Sequence, residues 1–131
     1  MDISMKKVLV IDNNEDLLGT FEQTLRNEGF DVATANSGPE GVERFHRDSF
    51  DLVITDIDMP GMSGFEVIDN IKRNFFVPVM LMSSDYLPVG PGDVNELGVN
   101  AIISKTIDNE TLCNVAWNCI LGEKVYQGKI F

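Results

Sequence analysis

The sequence predicts a doubly wound α/β domain: a five-stranded parallel sheet with helices on both faces, the fourth helix short or irregular. Two observations carry this prediction. Short β-rich runs alternate with amphipathic stretches five times along the chain, and parallel strands need such crossovers, which come to cover both faces of the sheet. Several runs, such as Leu-Val-Ile-Thr at 52–55, are almost continuously apolar, the pattern of strands buried on both sides.

Taken in order, Lys7–Ile11 reads as the first strand. A helix over 14–28 follows, with Leu17, Leu18, Phe21 and Leu25 on one face and Gly29 as its stop. Asp31–Ala35 is the second strand, ended by Asn36-Ser37-Gly38. Pro39, whose fixed φ suits a first helical turn, opens a helix carrying Val42 and Phe45. Residues 52–55 form the third strand. Ser63 followed by Glu66 is a capping-box pattern for a helix with Val67, Ile68 and Ile71 turned inward. Residues 79–82 and Ala101–Ser104 are the fourth and fifth strands, and Asp108 caps a last helix over 109–121. Between those strands, residues 83–92 hold two prolines and two glycines. Only a short helix, Pro91–Leu97, is expected there.

A chain of 131 residues suits one domain with a real core. Its formal charge of −11 argues against a nucleic-acid or anionic-membrane surface. No secretory leader is expected, because residues 1–7 lead straight into a strand-like run. The longest apolar stretch, 75–82, is interrupted by Pro78 and far too short to span a bilayer. Cys113 and Cys119 sit six apart in one helix and point to different azimuths. They suit neither a metal pair nor a disulfide, so reduced thiols in a cytoplasmic protein are expected.

Ligands of doubly wound sheets bind beyond the carboxyl ends of the strands. Those ends carry Asp12-Asn13-Asn14, Asp56, Ser83-Ser84 and Ser104-Lys105. Neighbouring carboxylates repel, which favours a bound hard cation such as Mg²⁺ with oxygen ligands. A lysine ammonium and a serine hydroxyl nearby complete a cradle for a phosphoryl group, whose transfer depends on positioning and charge neutralisation.

The order Asp12, then Asp56-x-x-Met59-Pro60-Gly61-x-x-Gly64, then Ser83, then Lys105, resembles the receiver domain of two-component response regulators. The resemblance runs from residue 6 to about 122, nearly the whole chain. It implies a flavodoxin-like fold, a receiver domain over 1–122, and a tail or the start of a linker over 123–131. It further implies that Asp56 accepts a phosphoryl group from a sensor histidine kinase or a phosphotransfer protein. Mg²⁺ would be held by Asp12, Asn13, Asp56 and the backbone carbonyl of Asp58. Ser83 would bond the phosphoryl oxygen and Lys105 would pair with it. The domain would be a signalling switch, not a turnover enzyme, with no direct contact to nucleic acid or membrane.

The chain departs from the family pattern in four places. Asn13 stands where a second acid is usual, and brings an amide oxygen without charge, so weaker metal binding is expected. Thr106 replaces the proline after the lysine, and Ile102 replaces a switch aromatic. The Pro/Gly-rich segment before Glu96 loosens the usual output face. Cys113, Trp117 and Leu121 extend the apolar arc of the last helix beyond its core stripe of Leu112, Val115, Ala116, Cys119 and Ile120. That arc is either packed by the tail or a homodimer or partner surface. His46 reads as a surface or half-buried structural residue, and Met59, Met62, Met80 and Met82 as packing.

Two other functions compete. A haloacid-dehalogenase-like phosphohydrolase also has an apolar strand ending Asp-x-Asp, as "VITDID" does, followed by a Ser/Thr and a Lys. Its acidic metal pair follows the lysine, whereas here Asp12 lies upstream and only Asp108 follows closely. A pseudo-receiver, binding partners without phosphorylation, draws support from Asn13, Ile102 and Thr106.

Overall fold

The computed structural model describes residues 5–72, 76–83, 91–126 and 129–130. Five alternating units are present: β1 Lys7–Ile11, α1 Glu15–Asn27, β2 Asp31–Ala35, α2 Gly38–Arg47, β3 Leu52–Asp56, α3 Gly64–Lys72, β4 Val79–Ser83, α4 Pro91–Leu97, β5 Ala101–Ser104 and α5 Asn109–Ile120. Two short strands, β6 Val125–Tyr126 and β7 Lys129–Ile130, follow. The sheet order is β2-β1-β3-β4-β5-β6-β7, parallel throughout except for the β6–β7 pair. The expected five-stranded parallel sheet is thus present, extended at one edge by the tail.

Local chemistry sets the element ends. Asn14 caps α1 by accepting the Leu17 N–H, and Ser37 caps α2 by accepting the Glu40 N–H. The Ser63 hydroxyl accepts the Glu66 N–H at 3.3 Å, and the Glu66 carboxylate reaches back to the Ser63 N–H at 3.5 Å. Asp108 accepts the Thr111 N–H at 2.7 Å to open α5. The backbone bond, and secondarily the Thr111 side chain, hold the Asp108 carboxyl below the usual carboxylate range.

Successive strand residues point to opposite faces, so the sheet builds two cores. Val8, Val10, Leu52, Ile54, Met80, Met82 and Ile103 pack under α1 and α5. Leu9, Ile11, Val53, Val79, Leu81 and Ile102 pack under α2, α3 and α4. Both cysteines are buried and free, and burial pushes the Cys119 thiol up to about 12. No helix among the described residues is long and apolar enough to cross a membrane.

The tail was not anticipated as sheet. Val125 is fully buried and pairs with Ala101, while Tyr126 pairs with Ile102 and joins the α2–α4 core. Trp117, in contrast, packs on Phe30 of the α1 side at 4.7 Å and stays 39% exposed, with Leu121 at 72%. Residues 84–90, which hold most of the Pro/Gly-rich segment, lie outside the described residues.

Candidate functional site

Strand order reverses between β1 and β3, because β2 lies on one side of β1 and β3 on the other. The crevice at such a switch point is left open by the diverging connections. Asp12 follows β1 directly and Asp56 ends β3, so both carboxylates arrive there. Both are buried, at 0% and 2% exposure.

Lys105 joins them from the end of β5. Its Nζ donates to Asp56 Oδ2 at 2.8 Å and lies 2.9 Å from Asp12 Oδ2. The second contact is an ion pair without good hydrogen-bond geometry, so Asp12 Oδ2 makes no other bond among the described residues. Asp12 Oδ1 accepts the Asn14 N–H at 2.9 Å, and Asp56 Oδ1 accepts the Asp58 N–H at 3.2 Å. Burial lifts the Asp56 carboxyl above the usual carboxylate range, with the Asp12 charge adding to it, against the pull of Lys105. Burial also opposes the Lys105 charge, but its bond to Asp56 and its pairing with Asp12 outweigh this and hold the ammonium above the usual lysine range.

The supporting backbone is tightly specified. The Lys105 N–H donates to the Ser83 carbonyl at 2.8 Å, and Ser83 pairs in register with Ser104. Ser83 is buried at the end of β4, on the strand next to the one that ends in Asp56. Thr106 earns its place by a bond that proline lacks: its N–H donates to Ser104 Oγ at 3.1 Å, and the two hydroxyls lie 2.8 Å apart. This turn presents Lys105 at its apex. Ile102 is buried at 5% exposure, and Tyr126 is its register partner.

Of the expected site residues, Asp12, Asp56 and Lys105 are in direct contact. Ser83 is tied to Lys105 through the backbone. Asn13 and Asp58 are exposed at the rim, and the Asp58 contact to the site is its N–H. Sequence reading missed the glycine contacts. A Cβ on Gly64 would stand 2.3 Å from the Asp56 carbonyl oxygen, and one on Gly41 would stand 2.3 Å from Ile11 Cδ1. Gly64 did appear in the motif, and the demand for a glycine there is the signal that marked it.

Whether a hard cation suits this crevice rests on the donor set. Two buried carboxylates converge, and Asp12 Oδ2 has spare acceptor capacity. These are oxygen donors of the kind Mg²⁺ takes, and they fit the ion. They are two and not three: among the described residues, no group of three or more His, Cys, Asp or Glu side chains is placed to hold a metal.

Comparison with known proteins places the fold in a family. The family model described as "Response regulator receiver domain" matches residues 8–116. The CpxR homolog of Haemophilus influenzae, a transcriptional regulatory protein, is 32% identical over 108 residues, covering 82% of this chain and 47% of that protein. The sensory transduction protein RegX3 of Mycolicibacterium smegmatis is 30% identical over 101 residues, 77% of this chain and 44% of that protein. The chain therefore spans about half the length of these curated relatives. A receiver domain protein from Clostridium thermocellum superposes with a TM-score of 0.79 at 28% identity, covering 90% of this chain and 96% of that one. The chemotaxis response regulator CheY4 of Vibrio cholerae superposes with a TM-score of 0.80 at 26% identity, covering 88% and 99%.

Proposed function

The chain belongs to the response regulator receiver domain family, and we propose that it accepts a phosphoryl group on Asp56 from the phosphohistidine of a sensor kinase or phosphotransfer protein. The observation that carries this is the Lys105 ammonium held between two buried carboxylates at the sheet's switch point. One ammonium cannot neutralise two such charges, so the crevice keeps a negative balance that a divalent cation would correct.

In this reading the Asp56 carboxylate attacks phosphorus, forming a P–O bond as the P–N bond to the donor imidazole breaks. The imidazole leaves with the electron pair and takes a proton from solvent. Oδ1, held only by the longer 3.2 Å bond, is the nucleophile, while Oδ2 stays on Lys105. Lys105 then neutralises the added oxygens, and the Ser83 hydroxyl on the neighbouring strand bonds one of them. Mg²⁺, when bound by Asp12, Asp56, Asn13 and the Asp58 carbonyl, would supply charge neutralisation for the transferring group. Asn13 contributes no charge, so weaker Mg²⁺ binding is expected than with a second acid at that position.

Strand order weighs against the phosphohydrolase alternative, whose Asp-x-Asp strand comes first in the chain, whereas Asp56 ends the third. The test is intact mass after incubation with Mg²⁺ and acetyl phosphate. One phosphoryl adduct, absent in Asp56→Asn, supports the reading. No adduct at saturating Mg²⁺ would return the domain to a phosphorylation-independent binding module. A cytoplasmic location is part of the same proposal, in keeping with two free buried thiols.

A further inference from the structure

The fifth strand is held at both ends by different parts of the chain. At its carboxyl end Lys105 is pinned to Asp56 and Asp12. At its amino end the tail is tied to residues 99 and 100. The Val125 N–H donates to the Asn100 carbonyl at 2.7 Å, and Lys124 Nζ donates to the Val99 carbonyl at 3.0 Å. The Asn100 side chain, only 9% exposed, works in two directions. Its Nδ2 donates to the Glu123 carbonyl at 3.2 Å, and its Oδ1 accepts the Val79 N–H at 3.4 Å. Asn100 also donates its backbone N–H to the Val79 carbonyl at 2.8 Å. Asn100, which holds the tail, therefore precedes β5 and is bonded to the first residue of β4, the strands that lead to Lys105 and Ser83.

We propose that residues 123–126 are a strap laid along β5 whose attachment is set by the charge state of Asp56. The strap closes the edge of β5 and reaches α4, and Tyr126 stands beside Ile102 where it joins the same core. Its ladder to β5 is two residue pairs long, Ala101 with Val125 and Ile102 with Tyr126. It is the shorter of the two ladders that β5 makes, four pairs joining β5 to β4. β5 itself has four residues, so Ile102 lies only three positions before Lys105. A phosphoryl group on Asp56 Oδ1 adds anionic oxygens beside the Oδ2 that Lys105 holds, and Lys105 shifts to pair with them. Because the Lys105 N–H is bonded to the Ser83 carbonyl, the ends of β4 and β5 shift together. A shift of β5 along its axis misaligns the tail ladder and the Val125–Asn100 bond. Phosphorylation then loosens the strap and uncovers the β5 edge and the flank of α4.

This mechanism rests on the phosphoacceptor reading, so the test separates the two. Amide hydrogen exchange is measured on the whole chain with Mg²⁺, with and without acetyl phosphate, alongside intact mass. The expected result is an adduct together with exchange at Val125 faster by at least tenfold, while β1 and β2 are unchanged. An adduct with unchanged exchange at Val125 overturns the strap and leaves the phosphoacceptor reading standing. An absent adduct counts against the phosphoacceptor reading, and Asp56→Asn then decides the strap alone. Neutralising Asp56 weakens its hold on Lys105 and is expected to accelerate exchange at Val125 by at least threefold. No change there overturns the proposal.

Discussion

Replacing Gly64 by alanine tests how the strand that ends in Asp56 is seated. Gly64 opens α3, and its N–H donates to the Ile57 carbonyl at 2.9 Å. An added Cβ would lie 2.3 Å from the Asp56 carbonyl oxygen, 2.9 Å from Ile57 Cα and 3.0 Å from the Asp56 carbonyl carbon. Real Cβ atoms do not approach closer than 3.0 Å, so the gap must open by at least 3.0 − 2.3 = 0.7 Å. Every neighbour is backbone, and no rotamer change can absorb the strain. Overpacking of this kind costs about 1–3 kcal/mol, whereas alanine's helix propensity returns only about 0.5–1 kcal/mol. The net expectation is a loss of about 0–2.5 kcal/mol, the difference of those ranges. Displacing a reacting group by about 1 Å can slow a reaction by roughly a hundredfold. Phosphoryl uptake by Gly64→Ala should therefore fall by about tenfold to a hundredfold. Urea unfolding followed by the fluorescence of Trp117, the one tryptophan, reads the first effect, and an intact-mass time course reads the second. Gly19→Ala is the control: nothing lies within 4 Å of its Cβ position on α1, so it should gain about 0.5–1 kcal/mol. If Gly64→Ala is as stable as its parent and takes up phosphoryl at the parental rate, the steric argument is wrong.

Three further outcomes are expected. Lys105→Met leaves Asp12 and Asp56 buried without a cation and should cost about 3–5 kcal/mol at pH 7 in urea melts without Mg²⁺; added Mg²⁺ should restore part of it. Asp56 carries a raised carboxyl pKa, chiefly from burial, so its contribution favours folding below the unfolded value of 3.8 and is lost as pH rises through the folded value. Asp56→Asn should accordingly be more stable than the parent at pH 7 without Mg²⁺, with the gap closing as pH falls toward 3.8; a variant less stable at pH 7 contradicts this. Asn100→Ala strands the buried Val79 N–H and the Glu123 carbonyl, and equilibrium unfolding should show a loss of about 1–3 kcal/mol.

Much of the architecture was legible because each core element carries its own signal. The strands are written in apolar runs and the helices in a 3.6-residue stripe; Ser63 and Asp108, read as caps, act as caps, and the structure adds Asn14 and Ser37. Asp12, Asp56, Ser83 and Lys105 were legible as candidates because strand carboxyl ends in a parallel sheet must share one edge. Asn13 and Asp58 belong to the same pattern, yet their side chains stand at the exposed rim.

The sequence alone determined the strand–helix order and the residues delivered to the site, since both follow from local periodicity and from chain direction in a parallel sheet. Only the tertiary structure decided how those residues meet. One lysine bridges two buried carboxylates because β5 and the switch point are brought within reach by strand order, which no local pattern encodes. The tail became sheet for the same reason. Val125-Tyr126 is too short to read as a strand, and it is one because β5 offers an unpaired edge and a pocket for Val125.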